Sequence, residues 1–282
     1  IHDFNAVHVV KGGDDEEAVF MKDRSVFRDF RDDTKQFLKK CFEEDIGFSK
    51  MMRLVKNDKD AFTDICDIMQ KHYKKIINIH LYYIGISSYP TISMNDFTSW
   101  AKKCNIMDGK YIDLASLDRL LIITNVNMHG YFSSAERDLN RYEFLEVIVR
   151  AAIALYKESK QCETIPECIH KLLTVNVYPN SEEMNGEHFR RFHCYNVKVN
   201  DFLKKNEAVI RKIFDSYTHA KKKYINLEEC RAYIMKCEIK VSQMQLGPIF
   251  AESMMTRLDT VRVRENMSEM KYTEFLVFLC RV

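Results

Sequence analysis

Glycine and proline are scarce in this chain, eight and four in 282 residues. So few chain breakers disfavour turn-rich β folds and long irregular loops. No apolar run approaches the roughly 20 residues that span a bilayer, and the opening Ile1-His2-Asp3-Phe4 lacks a signal-peptide pattern. No membrane partner is expected. A first residue other than Met reads as the start of a piece of something longer. Neither charge sign is in surplus: 43 basic residues face 41 acidic ones, a net charge of +2. Many Tyr and Phe lie near Lys and Arg, as in Phe189-Arg190-Arg191-Phe192, but the basic clusters Lys102-Lys103, Lys204-Lys205 and Lys221-Lys222-Lys223 alternate with acids. A nucleic-acid module would gather that chemistry on one basic face, so no nucleic-acid partner is expected. A glycine-rich phosphate loop and a nucleophile motif are also missing, which argues against an enzyme. The nine cysteines are odd in number and form no Cys-x-x-Cys, which fits a reducing compartment better than a disulfide framework. Cys162, Cys168, His170, His193 and Cys194 match the spacing of no zinc module.

What the chain does have is one short pattern four times over: an apolar residue, three others, an acid, then an apolar stripe. It reads Ile92 to Asp96, Leu139 to Glu143, Ile225 to Glu229 and Met270 to Glu274. The stripes are Phe97/Trp100/Ala101/Cys104, Phe144/Val147/Ile148/Ala151, Cys230/Tyr233/Ile234/Cys237 and Phe275/Phe278/Leu279/Val282, each one face of a helix. An apolar residue at position 8 of a loop, an acid at position 12 and an apolar helix start form the closing half of an EF-hand. The copies are themselves paired. Asp96 to Glu229 is an offset of 133 residues and Glu143 to Glu274 one of 131, so a two-motif unit is duplicated. Amphipathic helices with an acid near the start, where the macrodipole favours it, would account for the stripes but not for the shared offset. The expected fold is all-α, two tandem calmodulin-like EF-hand pairs with additional N-terminal and linker helices. Within each pair Ile92 should meet Leu139, and Ile225 should meet Met270.

A calcium loop needs oxygen donors at positions 1, 3, 5, 9 and 12, with glycine at 6. The first loop offers Gly85, Ser87 and Tyr89 at positions 1, 3 and 5, with Pro90 at 6. The second offers Phe132, Ser134 and Glu136, with Arg137 in the glycine position. In the third, Asp215 is placed like a first ligand, but Lys221-Lys222-Lys223 lies where a cation would sit and repels it. The fourth offers Val263, Glu265 and Met267, with Lys271 at 9. The loop-closing acids Asp96, Glu143, Glu229 and Glu274 are therefore read as degenerate, and no cofactor, calcium included, is expected. With the metal switch gone, each pair would remain as a cup for an apolar segment of a protein partner.

The run Phe250-Ala251-Glu252-Ser253-Met254-Met255-Thr256-Arg257-Leu258-Asp259, followed by Met270-Lys271-Tyr272-Thr273-Glu274-Phe275-Leu276, resembles the terminal EF-hand of calmodulin-like proteins of ciliary and flagellar axonemes. The likeness covers 246–282 well and 85–156 and 209–240 more loosely; 1–60 and 157–198 resemble nothing nameable. It implies a cytoskeletal, non-enzymatic scaffold in the axoneme of a cilium or flagellum, on or inside doublet microtubules, with tubulin and other axonemal proteins as partners. Some axonemal relatives bind calcium, and these loops depart from them. The alternative is a calcium-responsive adaptor or sensor with one working loop. An enzyme would require catalysis outside this piece.

The remaining segments are expected to be accessory. Residues 1–24, with Gly12-Gly13 and Asp14-Asp15-Glu16-Glu17, read as an extended arm. Residues 25–160 read as N-terminal helices plus the first pair. In the former, Phe37/Leu38/Cys41/Phe42 and Ile65/Ile68/Met69/His72 recur at helical spacing, suited to covering the first cup or to anchoring another protein. Residues 161–198, with Pro166, Pro179 and Asn180-Ser181-Glu182-Glu183, read as a linker, and 199–282 as the second pair.

Overall fold

The computed structural model describes residues 19–125, 138–218 and 222–282. Among them the chain is all-helical with no strand, and no helix is long and apolar enough to cross a membrane. It divides into two compact units, each described by itself.

The first unit comprises Asp33–Met184 and Arg257–Met267. Its helices are α1 (Lys35–Phe48), α2 (Met51–Leu54), α3 (Lys59–Ile86), α4 (Met94–Lys103), α5 (Leu114–Asn125), α6 (Arg141–Ala152), α7 (Ile165–Lys171) and α8 (Tyr178–Asn180). Short polar side chains start them. Thr34 accepts from the Phe37 amide, and Asp58 from those of Asp60 and Ala61, quieting amides that have no partner in the first turn. The 28 residues of α3 span about 42 Å and form the spine. α6 is buried on almost every side, from Arg141 through Ala152, with α1, α3, α5 and α7 packed against it. A helix enclosed in this way is core rather than surface. Phe144 from α6 meets Trp100 (5.1 Å between ring centroids), Phe97 (6.3 Å) and His80 (5.5 Å).

The stretch expected as a linker, 161–198, is folded. Pro166 stands in the first turn of α7, where a missing amide costs nothing, and Pro179 lies in α8, which continues α7 through a π turn Leu172–Val177, so neither proline divides the helical run. Cys168, Ile169, Leu172, Leu173 and Val177 are buried in the core. The polar run joins helices: the Ser181 hydroxyl accepts from Trp100 Nε1 (2.8 Å), and the Glu182 carboxylate from the Tyr83 hydroxyl (2.8 Å).

The second unit comprises Ile1–Asp32, of which 1–18 lie outside the described residues, Asn185–Thr256 and Ser268–Val282. Its helices are α9 (Gly186–Phe189), continued by a π turn Arg190–Cys194, then α10 (Val197–Lys205), α11 (Glu207–Tyr217), α12 (Leu227–Lys236), α13 (Gln243–Ser253) and α14 (Tyr272–Leu279). α14 is its core helix, buried from Thr273 to Phe278 and packed by α11 and α13. Phe275 sits among Phe214, Tyr233 and Phe278, with centroids 5.5, 5.7 and 6.1 Å away. Residues 25–32, expected with the first pair, belong here. Phe27 and Phe30 are fully buried, and the Val26 amide donates to Asn200 Oδ1 (3.1 Å). Of the expected arm, 19–24 also group here, with Phe20 stacked on Tyr195 at 5.8 Å. The acidic cluster 14–17 lies outside the described residues.

His80 is buried in the first unit with Nε2 unpartnered. Burial holds its imidazole at a pKa of about 3, and the Arg141 guanidinium pushes the same way. The unfolded chain takes up a proton below its ordinary 6.5 that the folded chain refuses until about 3, so stability falls with pH across that window. Glu143 acts in the opposite sense, because burial raises its pKa and the fold gains as pH drops towards that value. Replacing His80 by Leu isolates the first effect. Between about pH 7 and about pH 5.5 the wild type should lose about 1 kcal/mol more unfolding free energy than His80→Leu, measured by urea denaturation; equal losses would contradict a neutral buried imidazole.

Candidate functional site

The apolar residues that precede the four acids meet in two antiparallel β-bridges. The amide of Ile92 donates to the Leu139 carbonyl (3.0 Å) and Leu139 returns the bond (2.8 Å). Ile225 and Met270 do the same at 3.0 and 2.9 Å. Isolated bridges of one residue pair join two helix starts without a sheet. All four residues are buried.

Each acid then sits in the first turn of the helix that follows its bridge. Glu143 accepts from the Asn140 amide (2.8 Å), Glu229 from the Asn226 amide (2.7 Å) and Glu274 from the Lys271 amide (2.7 Å). Asn226 completes the reciprocal box by accepting from the Glu229 amide (2.9 Å). The second oxygen of Glu274 accepts from the Met255 amide (2.6 Å), which ties the end of α13 to the start of α14. Asp96 is shorter and takes hydroxyls instead, from Ser87 and Ser93, both at 2.5 Å. The Ser87 oxygen in turn accepts from the Ser93 amide (2.8 Å), so the carboxylate reaches the backbone through a relay. Glu143 and Glu274 are buried, whereas Asp96 and Glu229 are half-buried.

The residues at the other ligand positions do not converge. Gly85, expected to open the first loop, lies within α3, because the helix continues through Ile86 and leaves only 87–93 before α4. Phe132, Ser134, Glu136 and Arg137 lie outside the described residues, as does Lys221. Lys222 Nζ stands 4.0 Å from Glu229 Oε1, so an ammonium occupies the approach to the third acid. Asp215 is exposed on α11. In the fourth loop Glu265 and Met267 lie in a 3-10 turn Arg264–Met267 grouped with the first unit, whereas Glu274 belongs to the second. Among the described residues no group of three or more His, Cys, Asp and Glu could hold a metal ion. His170 pairs instead with His72, whose Nε2 lies 3.2 Å from His170 Nδ1, and Cys162, Cys168 and Cys194 are free thiols.

Sequence reasoning missed a buried charge cluster beside the first bridge. Arg141, two residues past Leu139, makes a bidentate pair with Asp45 on α1: Nε to Oδ2 at 2.7 Å and Nη2 to Oδ1 at 2.9 Å. The Tyr73 hydroxyl donates to the same carboxylate at 2.6 Å. Arg141 also donates to the carbonyls of Arg257 (2.7 Å) and Leu258 (3.0 Å), and so holds the distant segment in the unit. Burial works against the Arg141 charge, but the adjacent Asp45 carboxylate outweighs it and holds the guanidinium above its ordinary pKa. Lys50 donates to the carbonyls of Ile123 and Thr124 at the end of α5, where the helix dipole favours a cation, and its amide donates to Glu146 (2.7 Å). One signal was available: Asp45 continues the stripe of Leu38, Cys41 and Phe42, an acid on an apolar face. Such clusters hold position. Comparison with known protein families, curated proteins and solved structures finds no match.

Glu274 is fully buried and serves two amides. Glu274→Ala should cost about 1–3 kcal/mol by stranding those donors, and Glu274→Gln, which keeps an acceptor, less. Chemical denaturation in excess calcium and in chelator should give the same loss. A loss seen only in calcium would mean that the carboxylate serves a metal.

Proposed function

We propose that this chain is a non-enzymatic structural protein: two EF-hand-like pairs whose loops are closed by the chain's own hydrogen bonds, held as a stable component of the ciliary axoneme. The observation that carries the reading is the fate of the four closing acids. Asp96, Glu143, Glu229 and Glu274 all accept from donors of their own loops, and Lys222 adds an ammonium beside Glu229. A loop completed by internal donors keeps one geometry whether or not calcium is present. That suits permanent architecture better than signalling.

Partner docking is assigned to the second pair. In the first unit α6 is already enclosed by α1, α3 and α7, so its apolar face is taken by the chain itself. In the second unit Phe202, Val209, Met235 and Met244 are exposed on α10, α11, α12 and α13. Apolar side chains on helices suit a partner helix laid against them, and methionine adapts to irregular partners. The axoneme is chosen on the resemblance of residues 250–259 and 270–276 to axonemal EF-hand proteins, with tubulin and neighbouring axonemal proteins as the partners and neither nucleic acid nor membrane involved.

Tagged protein expressed in ciliated cells tests the assignment. It should resist detergent extraction, co-purify with doublet microtubules and stay bound in calcium and in chelator alike. Diffuse, detergent-soluble protein would contradict the axonemal role, and release on changing calcium would favour a calcium-responsive adaptor.

A further inference from the structure

His170 meets a second side chain able to ligate a metal, though it is none of the cysteines that stand near it in the sequence. His72 ends the helical stripe Ile65, Ile68 and Met69 on α3, with Ile65 and Met69 buried in the core. His170 lies in the last turn of α7. The two helices pack together and bring the imidazoles, 98 residues apart in the chain, to 3.2 Å between His72 Nε2 and His170 Nδ1. The other nitrogen of His72, Nδ1, lies 2.7 Å from the Tyr178 hydroxyl on α8. His72 and Tyr178 are half-buried and His170 is exposed, so the pair is open to solvent on one side while its inner ring is held from behind.

Two imidazoles joined by a hydrogen bond share one proton; a metal ion between them uses both lone pairs instead. Two nitrogens bound to one tetrahedral zinc ion, each at about 2.0–2.1 Å, stand about 3.3 Å apart. The 3.2 Å between His72 and His170 is close to that span. We propose that this pair is a two-histidine site for a zinc ion, with water completing the coordination and the ion clamping α3 to α7. Among the described residues no third His, Cys, Asp or Glu joins them. Glu167, one turn before His170, is engaged in accepting from the amides of Glu163 and Thr164. Calcium and magnesium prefer oxygen donors and are poorly suited to a pair of nitrogens.

For both nitrogens to present lone pairs, His72 carries its proton on Nδ1, where the Tyr178 oxygen accepts it, and His170 carries its own on Nε2. Tyr178 thereby plays the part that a carbonyl or carboxylate plays behind many ligand histidines: it orients the ring and fixes the tautomer. A ligand imidazole must also be neutral. Burial holds His72 below the ordinary histidine range, and His170, Lys71 and Lys75 push the same way. The two lysines also repel a cation, and Lys75 sets its ammonium over the Tyr178 ring, 4.2 Å from the centroid. With two protein ligands and this opposing charge, the site binds zinc more weakly than a four-ligand structural centre.

Full-length protein, stripped of metal with chelator and kept reduced with a phosphine, is titrated with zinc chloride by calorimetry near neutral pH, beside His72→Ala, His170→Ala and Tyr178→Phe. Circular dichroism confirms that each variant folds. The nine cysteines give a zinc background common to all four proteins, so the difference between isotherms is the readout. The wild type should show one saturable event that both alanine variants lack, and Tyr178→Phe should keep it with affinity about tenfold weaker. Because the ion binds the folded chain and bridges two helices, saturating zinc should also raise the Tm of the wild type by more than that of either alanine variant. Isotherms alike in the wild type and His170→Ala would overturn the assignment, since His170 is exposed and its loss leaves the core intact. Loss of the event in one alanine variant alone would overturn it too, because it would mean a single imidazole and no pair.

Discussion

A carboxylate that caps the helix it belongs to is the interaction on which the rest of this structure depends. The backbone amides in the first turn of any helix lack partners, and the helix dipole places partial positive charge there. In α6, α12 and α14 a glutamate at the third helical position reaches back to the amide before the helix and answers both problems. In α4 the shorter Asp96 does so through Ser87 and Ser93. Each cap lies directly after a bridged residue, so the bridge fixes where the chain enters and the cap fixes which way the helix leaves. Two such starts back to back orient four helices with almost no sheet.

That arrangement frees the helices to be buried. α6 and α14, each following the second bridged residue of its pair, are enclosed in their own units. The first unit also accommodates charge: Arg141 could not be buried alone, but Asp45 and the carbonyls of Arg257 and Leu258 accept its donors, and Tyr73 in turn donates to Asp45. Removing one partner of such a pair is far more damaging than never having had it, which makes the cluster a device for fixing position more than for adding stability.

The helical character was legible because helical stripes repeat at fixed spacing and breakers are few, and the apolar-x-x-x-acid pattern singled out the four residues that bridge and the four that cap. The division into units was not legible. Pro166, Pro179 and the polar run at 180–183 carry the composition of a linker, yet Pro166 starts a helix, Pro179 lies within its continuation, and Ser181 and Glu182 bind Trp100 and Tyr83. Composition reports polarity and not the partner that satisfies it. The grouping of Arg257–Met267 with the first unit and of residues 25–32 with the second depends on contacts over 100 residues distant, such as Arg141 to Arg257 and Val26 to Asn200. Periodicity carries no information at that range. Gly85 inside α3 is a smaller case, where a residue that favours turns is absorbed by a helix already 26 residues long.

The central claim is that the loops are complete without a metal. Isothermal titration of the full chain with calcium, at physiological ionic strength and after treatment with chelator, tests it most directly. No binding tighter than about the millimolar range of the weakest EF-hand sites should be seen. A saturable micromolar site, abolished by Glu143→Gln, Glu229→Gln or Glu274→Gln, would contradict it.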